Sequence, residues 1–197
     1  MFLKKLLISF FSLTLLFFLN SVSAKHHGSG EKITPSWMVV DSSNKLVTFT
    51  LTSAYNGNNG SWNYNGFYNG SANLVVPQGW NVNLKFVNPD GNYRHSVAVI
   101  KMWDGDVPQE ADESLVAIAR AYSLSPSQGC LSCEEDVKFK AKNRDDYTIG
   151  KYSLFCGVPG HGGSGMWLGF SVKDGIDSPF VLFNKSAMDE VYAKPLL

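Results

Sequence analysis

From Lys45 onward, apolar and polar residues alternate in short bursts. Leu46-Val-Thr-Phe-Thr-Leu51, Ala72-Asn-Leu-Val-Val76, Val82-Asn-Leu-Lys-Phe-Val87 and Val97-Ala-Val-Ile-Lys-Met-Trp103 each fit a strand with a buried face. Further along, Asp136-Val-Lys-Phe-Lys140, Tyr147-Thr-Ile-Gly-Lys-Tyr-Ser-Leu-Phe155 and Met166-Trp-Leu-Gly-Phe-Ser-Val172 continue the pattern. The separators are turn formers such as Asn56-Gly57, Asn59-Gly60, Asn65-Gly66, Asn69-Gly70, Gln78-Gly79 and Pro89-Asp-Gly91, where Asn and Gly supply the positive φ of tight turns. Short strands at this spacing predict an all-β sandwich or barrel. One stretch breaks the alternation: Gln109 to Tyr122 is rich in helix formers with acids in its first turn, which predicts a short helical insertion. The Tyr-Asn-Gly tripeptides at 55–57, 64–66 and 68–70 are unevenly spaced, so they read as turn punctuation and not as a repeat.

The two ends read differently. Lys4 and Lys5, the apolar run from Leu6 to Leu19 and the small-residue exit Asn20-Ser-Val-Ser-Ala24 form a secretory signal over 1–24. The apolar run is shorter than the roughly 20 residues that span a bilayer, so cleavage is expected and a retained anchor is the alternative. Residues 25–36 read as a flexible mature N-terminus, 37–177 as one domain, and 178–197 as a tail packing on it. The full chain has 17 basic and 17 acidic residues; losing Lys4 and Lys5 leaves 15 against 17, a net charge of −2. No basic patch points to nucleic acid. Aromatic residues make up 13% of the chain and read mainly as sandwich-core and turn-packing groups, with Tyr152 and Phe155 expected to point into the core or the site.

The chemistry is concentrated in one glycine-rich run from Phe155 to Trp167, where Cys156, His161 and Met166 stand at C-x4-H-x4-M spacing. A thiolate, an imidazole and a weak thioether suit copper moving between Cu(I) and Cu(II), whereas Mg, Ca and Mn prefer hard oxygen donors. Glycines at 157, 160, 162, 163 and 165 allow the backbone to wrap closely round an ion. A second imidazole has to come from elsewhere. Beyond the N-terminal His26 and His27, the sequence offers only His95, placed where the turn 88–94 enters the strand 97–103.

These residues carry a resemblance. Gly79-Trp-Asn-Val-Asn-Leu-Lys-Phe-Val-Asn88, His95-Ser-Val, Pro126-Ser-Gln-Gly129, Gly150-Lys-Tyr-Ser-Leu-Phe-Cys156-Gly-Val-Pro-Gly-His161 and Gly165-Met-Trp167 resemble the cupredoxins, and among them the sulfocyanins, over about residues 63 to 173. The resemblance implies a Greek-key β-sandwich holding one copper, with His95, Cys156 and His161 in the metal plane and Met166 axial. It also implies a blue-copper electron carrier and not an enzyme, exported to the periplasm or the outer face of the cytoplasmic membrane. Its partners would be redox proteins such as cytochromes or a terminal oxidase. It would act as a monomer, with membrane association only through an uncleaved N-terminus. His161 would be the electron port, in a flat patch with Pro159, Gly160, Gly162, Gly163 and Trp167. Cupredoxins often have Asn after the first histidine to tie the two ligand loops together. Here Ser96 stands there, and its shorter side chain is expected to make that tie through a different partner, with backbone amides such as that of Ser96 still near the thiolate.

Several alternatives stay open. Cys130 and Cys133 form a C-x2-C pair that an exported chain would join as a small disulfide, while a redox dithiol or a soft metal site is the sharper reading. Glu134 after Cys133 excludes c-type haem attachment. Cleavage after Ala24 would expose Lys25-His26-His27, a start that can wrap Cu(II) or Ni(II) in nitrogens, although a solvated basic tail is the plainer reading. Asn59-Gly-Ser, Asn69-Gly-Ser and Asn184-Lys-Ser match the glycosylation pattern but are ordinary turn formers. A copper chaperone is the rival function, and it would favour exchangeable surface ligands over an enclosed set. A copper oxidase or nitrite reductase would need more histidines than the domain supplies.

Overall fold

The computed structural model describes residues 31–123, 125–142 and 151–184. The segment 1–24 with its expected signal, the Lys25-His26-His27 start and the tail beyond Asn184 lie outside the described residues.

Eleven strands are described: β1 Glu31–Ile33, β2 Met38–Asp41, β3 Leu46–Thr52, β4 Ala72–Pro77, β5 Asn81–Asn88, β6 Val97–Lys101, β7 Val116–Ala121, β8 Cys133–Lys140, β9 Lys151–Phe155, β10 Trp167–Lys173 and β11 Phe180–Phe183. They form a seven-stranded sheet in the order β1-β11-β4-β10-β9-β6-β7 and a four-stranded sheet in the order β2-β3-β5-β8. The chain crosses from β3 in the small sheet to β4 in the large one, returns to β5 and crosses again to β6. The two parallel pairs, β3 with β5 and β4 with β10, therefore join strands that are not consecutive.

Alternation dictates which face is buried. In β3, Val47, Phe49 and Leu51 turn inward while the threonines between them are half-exposed, and β5 repeats this with Val82, Leu84 and Phe86. Leu74, Tyr152, Leu154 and Phe170 of the large sheet meet them from the other side. Each such side chain contributes about 1.5–3 kcal/mol by leaving water. At one end of the sandwich, Trp37 packs on Phe49, Phe67 and Phe183.

The helix expected over 109–122 does not form. Asp112 instead caps one 3-10 turn, Glu113–Leu115, by accepting the Ser114 N–H, and Val116–Ala121 runs as β7 along the edge of β6. Ala and Arg favour a helix in isolation. The edge of β6 offers backbone partners from Val97 to Ile100, with one register shift between Ala98 and Ile100, and tertiary context of that kind overrides a weak propensity.

The ends of the domain also differ from the pattern reading. Glu31–Ile33, placed in the flexible N-terminal stretch, form a strand on β11, and Phe180–Phe183 is an integral strand between β1 and β4.

Candidate metal centre

Strand register brings the centre together. Cys156 follows β9 directly and Met166 precedes β10, while β9 pairs with both β10 and β6. Ala98 of β6 lies opposite Phe155, so His95, three residues before Ala98, reaches the same end of the sheet as Cys156. His95 is fixed there by a two-bond bridge to Cys130: its N–H donates to the Cys130 carbonyl at 3.1 Å, and the Cys130 N–H donates back at 2.9 Å. Asn88 adds a third bond through its Nδ2 to the Cys130 carbonyl.

The donor atoms of His95, Cys156 and His161 all lie within 4.8 Å of one another. Cys156 Sγ is 3.6 Å from His161 Nδ1, and the two imidazole centroids are 5.0 Å apart. Met166 is fully buried at the far end of the loop. Its N–H donates to the His161 carbonyl and its carbonyl accepts from Cys156 N–H, so the backbones of all three loop residues close on each other.

His95 is only 1% exposed, yet its Nδ1 has no hydrogen-bond partner. A buried polar atom left in this state costs about 1–3 kcal/mol, which a coordinated ion would remove. Burial pushes the His95 pKa down to about 4 against a small opposing pull from Asp90, and burial together with His95 pushes His161 down to about 4. Both rings therefore present neutral nitrogen lone pairs. Burial raises the Cys156 thiol pKa, while the backbone N–H groups of Ser96 and Val158 and the side chains of Ser96 and Tyr64 act against it. Ser96 Oγ lies 4.0 Å from the sulfur, and a bound cation would complete the shift to thiolate.

A family profile, described as the sulfocyanin (SoxE) domain, matches residues 34–183. The chain belongs to the sulfocyanin domain family. It is 27% identical over 151 residues to sulfocyanin of Sulfolobus acidocaldarius, covering 73% of this chain and 71% of that protein. Among solved structures it is similar to rusticyanin variants, with 18% identity, a TM-score of 0.47, and 73% of this chain and 87% of that chain covered. It is also similar to a reduced auracyanin from Roseiflexus castenholzii, with 21% identity, a TM-score of 0.43, and 64% and 96% covered. Sulfocyanins are cupredoxins, which carry electrons on copper, and one thiolate with two imidazoles and a thioether is a donor set that fits this ion.

The sulfocyanin-family loop is held by contacts that sequence reading did not foresee. Ser96 makes the inter-loop tie with its own hydroxyl, through partners of its own, as expected. Its Oγ accepts the Gly157 N–H at 3.0 Å and donates to the Pro126 carbonyl at 2.6 Å. The short hydroxyl reaches because Gly157 has no side chain: a Cβ there would lie 2.6 Å from the Ala111 carbonyl and 2.8 Å from that of Pro126. Gly162 is likewise pressed on the Phe155 ring, where a Cβ would come within 1.8 Å. Gly162 is therefore buried and cannot belong to the flat surface patch expected around His161. Pro159 and Gly160 of the expected patch are exposed, and Ser164 is exposed beside them.

Two aromatic residues were missed as parts of the site. The Tyr64 hydroxyl donates to the Ser96 carbonyl and faces the Cys156 sulfur, and burial next to that sulfur pushes its pKa well up. The Trp62 ring lies 3.9 Å from that of His161. Both stand in the Asn- and Gly-rich segment that looked like plain turns, and nothing in its local pattern marks them. Trp167 packs instead against Trp103, at 4.9 Å between ring centroids. Cys130 and Cys133 are joined as a disulfide. Asn59 Nδ2, a glycosylation candidate, donates to the Trp62 and Ser164 carbonyls, in keeping with its plainer role as a turn former.

Proposed function

We propose that this chain is a mononuclear copper electron-transfer protein, acting outside the cytoplasmic membrane and passing single electrons within a respiratory chain. The observation that carries the reading is the meeting of Cys156, His95 and His161 within 4.8 Å around a buried imidazole nitrogen that lacks a partner. His95, Cys156 and His161 would hold the ion, with the Met166 thioether as the fourth donor. Copper in this site supplies one-electron exchange between Cu(I) and Cu(II).

The chain's own part is to hold geometry and manage charge. The Ser96 and Val158 amides stabilise negative charge on the sulfur, and the β6–β9–β10 ladder keeps the donors from rearranging when the charge of the centre changes. His161, half-buried beside exposed Pro159 and Gly160, is the electron port. A small surface of this kind suits weak, brief encounters with a cytochrome or a terminal oxidase. The protein acts as a monomer and not as an enzyme. Any membrane attachment would come from the N-terminal segment, since among the described residues no helix is long and apolar enough to cross a membrane.

An oxidised absorption spectrum with copper stoichiometry, on the wild type and on Cys156→Ser, tests the reading. One copper per chain and an intense thiolate-to-Cu(II) band that vanishes in the variant are expected. A band that survives the substitution would overturn the assignment. A colourless protein that hands Cu(I) to an acceptor would favour the chaperone instead, although enclosure of Cys156 and His95 argues for retention.

A further inference from the structure

Trp62 lies over His161 with ring centroids 3.9 Å apart and planes 38° from parallel, and it meets His95 edge-on at 5.7 Å. Its delivery to this place is unusual. Asn59, Gly60 and Ser61 take φ values of 51°, 62° and 73°, three left-handed residues in a row immediately before Trp62. Asn and above all Ser adopt that region at a cost, and such a run persists only where its surroundings over-determine it.

The surroundings here are specific. Asn59 Nδ2 donates both to the Trp62 carbonyl at 2.9 Å and to the Ser164 carbonyl at 2.8 Å, and Trp62 N–H returns a bond to the Asn59 carbonyl at 3.1 Å. One amide group therefore fastens the tryptophan turn to the loop that carries Cys156, His161 and Met166. Asn63 locks the other side of the turn, with its Oδ1 accepting from Tyr55 and Gly66 and its Nδ2 donating to Asn56 and Asn58 carbonyls. A half-buried indole needs none of this apparatus merely to fill space.

We propose that Trp62 is a positioning residue of the metal centre, clamped by Asn59. Its indole fixes the plane of the His161 ring and covers the rim between the two histidines against water. This rests on the one-copper reading of the site. Opening the rim would admit water, whose dipoles favour the more highly charged Cu(II) state, so loss of the indole lowers the reduction potential. It also loosens His161, the least buried of the three close donors, and speeds copper loss.

The test uses the full chain as wild type, Trp62→Ala, Trp62→Phe and Asn59→Ala. Removal of copper from the reduced protein by a Cu(I) chelator should be about 10- to 100-fold faster in Trp62→Ala, the range typical of lost outer contacts to metal ligands. Its potential should fall. Trp62→Phe should restore both towards the wild type, and Asn59→Ala, which frees the ring without deleting it, should move both in the direction of Trp62→Ala. Unchanged release and potential in Trp62→Ala would overturn the proposal, and so would unchanged values in Asn59→Ala if Trp62→Ala does not fold. A separate reading comes from proton NMR of the metal-free wild type. There the indole should shift the His161 ring protons upfield, and unshifted protons would overturn the proposal even if copper binds normally. A wild type that takes up no copper but keeps the upfield shift would count against the one-copper reading and leave the stack standing.

Discussion

Ser96 joins two loops with one hydroxyl, accepting from Gly157 N–H and donating to the Pro126 carbonyl. Ser96→Ala would strand both groups in a buried place, at a cost of about 1–3 kcal/mol for each unsatisfied group. Chemical denaturation of the metal-free variant should show a lowered midpoint with an unchanged slope. Because Ser96 Oγ is also 4.0 Å from Cys156 Sγ, the thiolate-to-Cu(II) band should shift as well, and an unshifted band would confine the residue to a purely structural role. At this scale the sequence was readable in part. Cys156, His161 and Met166 stand out as candidates by spacing, and His95 by scarcity. Trp62 and Tyr64 do not, because their contacts with His161 and Ser96 span distances in sequence that no local pattern encodes.

Among elements, the segment from Cys130 to Cys133 links the centre to the small sheet. Cys130 bridges to His95, and Cys133 opens β8, where it pairs with Asn88 of β5. The disulfide between them closes so short a loop that its removal should reduce stability by about 2 kcal/mol or less. A double variant, Cys130→Ala with Cys133→Ala, should therefore melt only modestly lower, since the two backbone bonds of the His95 bridge and the Asn88 amide remain. Loss of copper binding in that variant would mean that the disulfide, and not the bridge, places His95. The strands themselves were legible wherever apolar residues alternated, as in β3 and β5. The stretch 116–121 was not, because Ala-rich composition suits a helix and only the vacant edge of β6 makes it β7.

For the molecule as a whole, two imidazoles held at about pKa 4 against an ordinary 6.5 make stability depend on pH. Between roughly pH 6.5 and 4 the unfolded chain binds more protons than the folded one, so acid favours unfolding across that window. The metal-free protein should be most stable above pH 6.5, weaken as pH falls towards 4, and receive no further loss from these two groups below it. Denaturation midpoints collected from pH 3.5 to 7.5 check this, and a flat profile would show that the rings are not held neutral. Bound copper adds stability by mass action, so its removal should lower the melting temperature.

The all-β class, the copper-suited chemistry of the 155–167 loop and the choice of His95, Cys156, His161 and Met166 as candidates could be read from the chain, because strand alternation, turn residues and donor chemistry are local or compositional properties. The meeting of His95, Cys156 and His161 came only with the folded sandwich. The register of β6 with β9 aligns His95 with Cys156, the edge of β6 converts a helix-prone stretch into a strand, and a left-handed turn anchored by Asn59 sets Trp62 on His161. Each of these depends on hydrogen bonds and packing between residues far apart in the chain. Their free energy exists only once the sandwich has closed.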